Sequence, residues 1–140
     1  MKKIVFALAF MMTGQLAVGQ SVLDMANDAQ CSTQDNLIKA ALKSSVHAKK
    51  SLKASTWVKL SNAYATHTTA CGRDSTSAFK AYDALKKAKE LDTDGKAATS
   101  IEAISNGTAT SPMYSAAINQ GVAHYNAQNL EMAAKLFLLG

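Results

Sequence analysis

The sequence predicts an all-α protein, and three observations carry this prediction. Apolar side chains recur at three- and four-residue steps, which is the spacing of one face of a helix. No stretch alternates apolar and polar residues as a half-buried strand would, and the single proline is Pro112. We therefore expect a succession of amphipathic helices that run antiparallel and are joined by short connectors.

The N-terminal residues have the pattern of a cleaved secretory signal. Lys2 and Lys3 form a positive start, an apolar stretch follows, and small residues at positions 17 and 19 suit a signal peptidase. A membrane anchor needs about 20 apolar residues, and this run is roughly half that length. Residues 1–19 are therefore predicted to be a signal peptide and residues 20–140 a helical domain that is periplasmic or secreted and has no transmembrane anchor.

The first predicted helix of the mature domain covers residues 33–51. Asp35 suits the positive end of its dipole, and Lys49 and Lys50 suit the negative end. The side chains expected to face inward are Leu37, Ile38, Ala41, Leu42 and Val46. The second predicted helix covers residues 54–66, and its inward face is Trp57, Val58, Leu60, Ala63 and Tyr64.

A polar stretch, THTTACGRDSTS, interrupts the helical spacing after the second helix and predicts a loop over residues 66–77. The third predicted helix then covers residues 76–91 and ends at DTDGK. Its inward side chains are expected to be Phe79, Ala81, Tyr82, Leu85, Ala88 and Leu91.

Three shorter helices complete the prediction. The fourth covers residues 96–104, and a turn follows it. Ser111 and Pro112 are a cap and a first helical residue, so a fifth helix is expected from there to about residue 127. Asn129 is expected to cap the sixth.

Two of the predicted helix pairs, residues 54–92 and 112–139, share a pattern of small and large residues. Gly121 lacks a side chain and lets the partner helix approach, and Ala133 is the small residue that faces it. Ser61 is the corresponding small residue of the first pair. The predicted packing residues of the two pairs are Trp57, Leu60, Ser61, Tyr64, Ala81, Leu85, Ala88, Gly121, Leu130, Ala133 and Phe137.

The segments STWVKLSNAY, AYDALKKAKELDTDGK and INQGVAHYNAQNLEMAAKLF resemble those of the tetratricopeptide repeat (TPR) family, in the exported form found in Gram-negative bacteria. The chain departs from the family in three ways: Thr93 stands where proline often ends the repeat, Ser61 replaces the usual glycine, and an extra helix lies between the pairs. The resemblance implies antiparallel helical hairpins stacked as a right-handed superhelix, an α-solenoid.

The same resemblance implies a binding surface on the concave side, formed by the first helix of each pair. The candidate peptide-binding residues are Asn62, Thr66, Val122, Tyr125 and Asn126. The two asparagine amides would hold a peptide backbone, and Tyr125 would pack against a side chain. Natural arrays end in a polar capping helix, and none follows Phe137 here. We expect the sequence to be the N-terminal part of a longer array, with docking of this face on another chain as the alternative.

The chemistry-bearing residues form no recognisable catalytic or metal-binding motif. His67 and Cys71 lie four residues apart without a CxxC or HExxH pattern, so no metal and no cofactor are expected. Pairing of Cys31 with Cys71 would close a loop worth on the order of 4 kcal/mol, but no spacing requires it, so both redox states remain open.

The charge of the mature chain does not favour a nucleic-acid partner. Loss of Lys2 and Lys3 lowers the basic residues from 15 to 13, against 10 acidic residues, and the lysines are scattered. The predicted function is a non-enzymatic scaffold that binds a protein or peptide. The alternative is a structural protein that self-associates through its apolar C-terminal helix.

Overall fold

The computed structural model describes the backbone of residues 2–139 and the side chains of residues 24–139, in both cases apart from residues 73 and 109. Within this part of the chain the regular structure consists of six helices and no strand, so the all-α prediction is confirmed. The helices are α1 (Lys2–Ser45), α2 (Ala54–Cys71), α3 (Ser77–Leu91), α4 (Ala98–Ser105), α5 (Pro112–Asn126) and α6 (Leu130–Phe137).

Helix α1 differs from the predicted helix 33–51 at both ends. It runs without a break past residues 19 and 20, where cleavage is predicted. The signal peptide stays a prediction, and the side chains of residues 1–19 lie outside the described ones. It ends at Ser45, six residues early. The hydroxyls of Ser44 and Ser45 donate to the carbonyls of Ala40 and Leu42, and such local bonds compete with the helical ladder. Residues 46–53 then form tight turns.

Helix α2 is longer than predicted, and the expected loop over residues 66–77 is wrong for its first part. The helix continues to Cys71 and is closed by Gly72, whose φ of 63° is the left-handed conformation that glycine adopts freely. The threonines that suggested a loop instead bond to their own helix. Thr68 Oγ1 donates to the carbonyl of Tyr64 at 3.0 Å, for example.

The predicted starts of the last two helices are confirmed. Ser111 Oγ accepts a hydrogen bond from the backbone N–H of Tyr114 at 3.1 Å, with Pro112 at the first helical position. Asn129 Oδ1 accepts from the N–H of Met132 at 3.3 Å. Both caps satisfy donors that a helix cannot satisfy internally, which fixes where α5 and α6 begin.

The core lies around α2, which packs against α1, α3 and α5. Much of the core is alanine, so the helix axes can approach closely and few side chains are large. The fully buried alanines are Ala65, Ala78, Ala81, Ala88, Ala116 and Ala117. Ser61 is also fully buried, and its hydroxyl is the one buried side-chain polar atom without a hydrogen-bond partner among the described residues.

Several side chains predicted to face the core are instead exposed. These are Leu37, Leu42, Val46, Tyr82 and Leu130. Val46 lies beyond the end of α1, which explains its 81% exposure. In α6 the buried residues are Ala133 and Leu136, and at 3.6 residues per turn Leu130 lies about a quarter of a turn away from that face. Leu136, which was not among the predicted packing residues, takes the place predicted for Leu130.

Of the remaining packing residues of the two pairs, Phe137 is 41% exposed and the others lie at or near the core. Trp57 is half-buried and donates its indole N–H to the carbonyl of Ser51 at 2.8 Å. The ring of Phe137 lies directly on Gly121. A Cβ at Gly121 would be 2.7 Å from Phe137 Cδ1, closer than real Cβ contacts. Gly121 therefore makes room for the ring of Phe137, where Ala133 was predicted to face it.

Candidate functional site

The residues predicted to form one concave binding surface are not brought to one cavity. Asn62 is exposed on α2 and lines a groove between α1 and α2, whereas Thr66 lines none of five well-formed cavities among the described residues. Val122, Tyr125 and Asn126 are exposed on α5 and line none of them either. Of the predicted binding residues, Asn62 lines one of these cavities and the other four do not.

The groove that contains Asn62 is here called the α1–α2 groove. It encloses about 520 Å³, within the range of about 300–1,000 Å³ typical of ligand pockets. One wall is formed by the last turns of α1, the other by the first half of α2, and the turn between them lines one end. The lining residues are Leu37, Ala40, Ala41, Ser44, Lys50, Lys53, Ser55, Thr56, Lys59, Asn62 and Ala63.

The α1–α2 groove carries positive charge without a balancing carboxylate. Lys50, Lys53 and Lys59 line it, all three are exposed, and none of them forms an ion pair with a described side chain. The N-terminus of α2 also lies here, and its first turn has no acidic residue and no side-chain cap. The partial positive charge of a helix N-terminus therefore adds to that of the lysines.

A second groove, here called the α2–α4 groove, lies on the other side of these lysines. It encloses about 680 Å³ and shares Lys53, Ser55 and Lys59 with the α1–α2 groove. Unlike the α1–α2 groove, it is also lined by two carboxylates, those of Asp92 and Asp94. Lys96 Nζ lies 2.6 Å from Asp94 Oδ2, and this hydrogen bond lowers the pKa of Asp94.

Asp35, His67 and Ser77 form a polar chain across three helices that sequence analysis missed. His67 Nε2 on α2 lies 3.2 Å from Asp35 Oδ1 on α1. His67 Nδ1 lies 3.3 Å from Ser77 Oγ at the start of α3. The order carboxylate, imidazole, hydroxyl is that of a nucleophile with its base. Here, however, Ser77 is fully buried, and neither it nor His67 lines any of the five cavities.

The disulfide of Cys31 with Cys71 lies one helical turn from this polar chain. It joins α1 to the end of α2, with 5.3 Å between the two Cα atoms. Cys71 is therefore engaged with Cys31, and His67 with Asp35 and Ser77, so neither residue of the HxxxC spacing is left as a metal ligand. Among the described residues no group of three histidine, cysteine, aspartate or glutamate side chains is placed to hold a metal.

The short loop between α2 and α3 is held by α5. The side-chain amide of Gln120 donates to the carbonyl of Asp74, and its oxygen accepts from the N–H of Ala78 at 3.0 Å. His124 Nε2 lies 3.2 Å from the carbonyl of Ser75. These bonds satisfy backbone groups that a loop leaves unpaired, and they attach the second helix pair to the first.

Comparison with known proteins gave no relative for this chain. No family model, no curated protein and no solved structure matches it. The described helices also include none with the length and apolar character needed to span a bilayer.

Proposed function

We propose that this chain is a non-enzymatic interaction module of the cell envelope that binds a peptide segment of a partner protein in the α1–α2 groove. The observation that carries the proposal is the groove itself: an open cavity of about 520 Å³ between two helices, with exposed lysines, hydroxyls and an amide around an apolar floor. Pockets that bind peptides and small ligands combine apolar walls with a few polar groups in this way.

The arrangement of the helix pairs supports a scaffold of the TPR type. Helices α2 and α3 pack together, as do α5 and α6, and α5 packs against both helices of the earlier pair. That is how the first helix of one repeat meets the preceding repeat in a stacked array. We therefore propose a right-handed superhelix, with α4 as an insertion between the pairs.

Export to the periplasm or beyond is part of the same proposal. The signal-like sequence at residues 1–19 supports it, and so does the disulfide, because such bonds persist in oxidising compartments. A non-enzymatic role is supported by the burial of Ser77, since a nucleophile without access to a cavity cannot meet a substrate.

Selection of peptides from a random phage library on immobilised mature protein tests the groove. Ala40 is exposed and lines the groove, so Ala40→Trp should fill it without disturbing the core. Ala103 is exposed on α4 and lines none of the described cavities, so Ala103→Trp is the matched control. We expect selected peptides to lose binding to Ala40→Trp and to keep it on Ala103→Trp. Equal binding to all three proteins would reject the groove.

Self-association is the second candidate function, and the C-terminal apolar face favours it. This face consists of Leu130, Phe137 and Leu138, whose exposed fractions are 61%, 41% and 87%. Exposed apolar side chains that lie together mark interaction surfaces. Sedimentation velocity should then show a dimer that Leu138→Glu dissociates and that Ala103→Glu, an equal charge at an exposed site on α4, leaves intact.

A further inference from the structure

We infer that the α1–α2 groove selects an acidic peptide segment with apolar side chains. The inference rests on the proposed function and adds the chemical class of the partner.

The charge of the groove indicates the charge of its ligand. Lys50, Lys53 and Lys59 project around one cavity, and no aspartate or glutamate is among its eleven lining residues. Elsewhere on the described surface, Lys80, Lys96 and Lys135 are paired with carboxylates 2.6–2.7 Å away. Other lysines of that surface, such as Lys39 and Lys86, are unpaired but are not gathered around the groove. Unpaired like charges around a groove repel one another, and an anionic ligand removes that repulsion. A basic ligand would add to it.

The position of the α2 N-terminus adds to this selectivity. Lys53 occupies the cap position with an extended backbone, and its side chain makes no capping bond. Ser55 and Thr56 in the first turn line the groove. The N–H groups of Lys53 and Thr56 already donate to the carbonyls of Lys50 and Lys53. A carboxylate there meets the N–H of Ser55 and two hydroxyls in addition to the ammonium groups, a combination that suits anions.

The floor of the groove requires apolar side chains as well. Leu37, Ala40, Ala41 and Ala63 line it, and Leu37 is 52% exposed although it is apolar. A ligand that carried charge alone would leave this apolar surface wet, whereas a leucine or valine between acidic residues would cover it. The groove contains no aromatic side chain on which a base could stack, which favours a peptide over a single-stranded nucleic acid.

The experiment compares the composition of peptides selected on three folded proteins. The first is the wild type. In the second, Lys50, Lys53 and Lys59 are replaced by glutamine. In the third, glutamine replaces Lys39, Lys86 and Lys89, which are exposed and do not line the groove, so that the same positive charge is lost elsewhere on the surface. Circular dichroism establishes that each is helical before selection.

We expect peptides selected on the wild type and on the control to be enriched in Asp and Glu together with Leu, Ile or Val. That enrichment should vanish on the groove variant. A fluorescein-labelled copy of the most enriched peptide should bind the groove variant about tenfold more weakly than the wild type. The same peptide with its Glu and Asp residues replaced by Gln and Asn should bind the wild type equally weakly. Both differences in affinity should shrink at high salt.

Two results would overturn the inference in distinguishable ways. If neutral or basic peptides are selected and lose binding to Ala40→Trp, the groove binds peptides but the acidic class is wrong. If selected peptides bind Ala40→Trp as tightly as the wild type, the proposed groove itself fails. A single-stranded oligonucleotide or a vesicle of phosphatidylglycerol that displaces the labelled peptide and binds more tightly would also overturn the acidic-peptide assignment.

Discussion

His67 Nε2 on α2 lies 3.2 Å from Asp35 Oδ1 on α1, and the disulfide between Cys71 and Cys31 lies one turn further along the same two helices. The two connections follow one antiparallel register: a step of four residues forward on α1, from 31 to 35, matches a step of four residues back on α2, from 71 to 67. The two connections therefore fix α1 against α2 at one end of their interface. The α1–α2 groove opens at the other end, between residues 37–44 and 55–63, so its walls depend on this register.

Reduction of the disulfide should lower stability substantially. The bond joins residues 40 apart, and constraining a loop of that length in the unfolded chain is worth about 4 kcal/mol in the chain-entropy model. We expect the denaturant midpoint of the oxidised protein to fall on addition of a reductant. The doubly substituted Cys31→Ser, Cys71→Ser protein serves as the control and should unfold at the reduced midpoint with or without reductant. An unchanged midpoint in the wild type would show that the bond does not stabilise the native fold.

Replacing Ser77 should affect stability and leave ester hydrolysis unchanged. Ser77→Ala removes the hydroxyl that lies 3.3 Å from His67 Nδ1, and a buried ring nitrogen without its partner costs about 1 kcal/mol. Because Ser77 is fully buried, we expect the wild type and the variant to hydrolyse p-nitrophenyl acetate at the same rate. Hydrolysis that is present in the wild type and absent in the variant would identify Ser77 as a nucleophile and contradict a non-enzymatic role.

Asp74 should contribute to stability in a pH-dependent way. Partial burial acts to raise the pKa of Asp74, but hydrogen bonds from the Lys80 ammonium and from Thr76 outweigh it and hold the pKa well below its usual range. A carboxylate with a depressed folded pKa stabilises the native state above its unfolded pKa, about 3.9, and this contribution is lost as the pH falls through the folded value.

Asp74→Asn isolates that charge, because the amide oxygen can still accept from Thr76. We expect the variant to be less stable than the wild type by about 0.5–1 kcal/mol at neutral pH, a figure kept small because Lys80 is well exposed. The difference should shrink below about pH 4. Urea titrations across pH measure it. Asp83→Asn, at an exposed site on α3 without an ion pair among the described residues, should show no such pH dependence.

The sequence predicted the helical elements well where a local signal marks their ends. Ser111 and Asn129 are side chains whose capping chemistry acts over three residues, and both helices begin where predicted. The wrong boundaries lie where the signal is ambiguous. A run of threonines reads as a loop, yet in α2 these hydroxyls bond within the helix, and tertiary contacts at His67 and Cys71 hold that end in helical form.

The site was harder to predict because it depends on contacts between distant parts of the chain. The polar chain joins residues 35, 67 and 77, and no local spacing relates them. The α1–α2 groove likewise depends on α1 ending at Ser45, which releases Lys50 and Lys53 into a turn beside α2. From the sequence these lysines looked like part of a scattered basic surface. Only the register of α1 against α2 places three of them around one cavity.

Because Gly121 and Phe137 are in contact, the effect of Gly121→Ala on stability should depend on the residue at position 137. Glycine in the middle of a helix costs about 1 kcal/mol relative to alanine, so Gly121→Ala should stabilise α5 if space allows. In the wild type there is no space, because the new Cβ would lie 2.7 Å from Phe137 Cδ1 and the ring must move away from α5. We therefore expect Gly121→Ala to destabilise the wild type by about 1–2 kcal/mol. In a Phe137→Ala background, the same mutation should be neutral or stabilising by up to about 1 kcal/mol.

Chemical denaturation of the four proteins of this double-mutant cycle measures the coupling. An effect of Gly121→Ala that is equal in the two backgrounds would show that Gly121 and Phe137 are not packed against each other and would remove the basis for the α5–α6 pair.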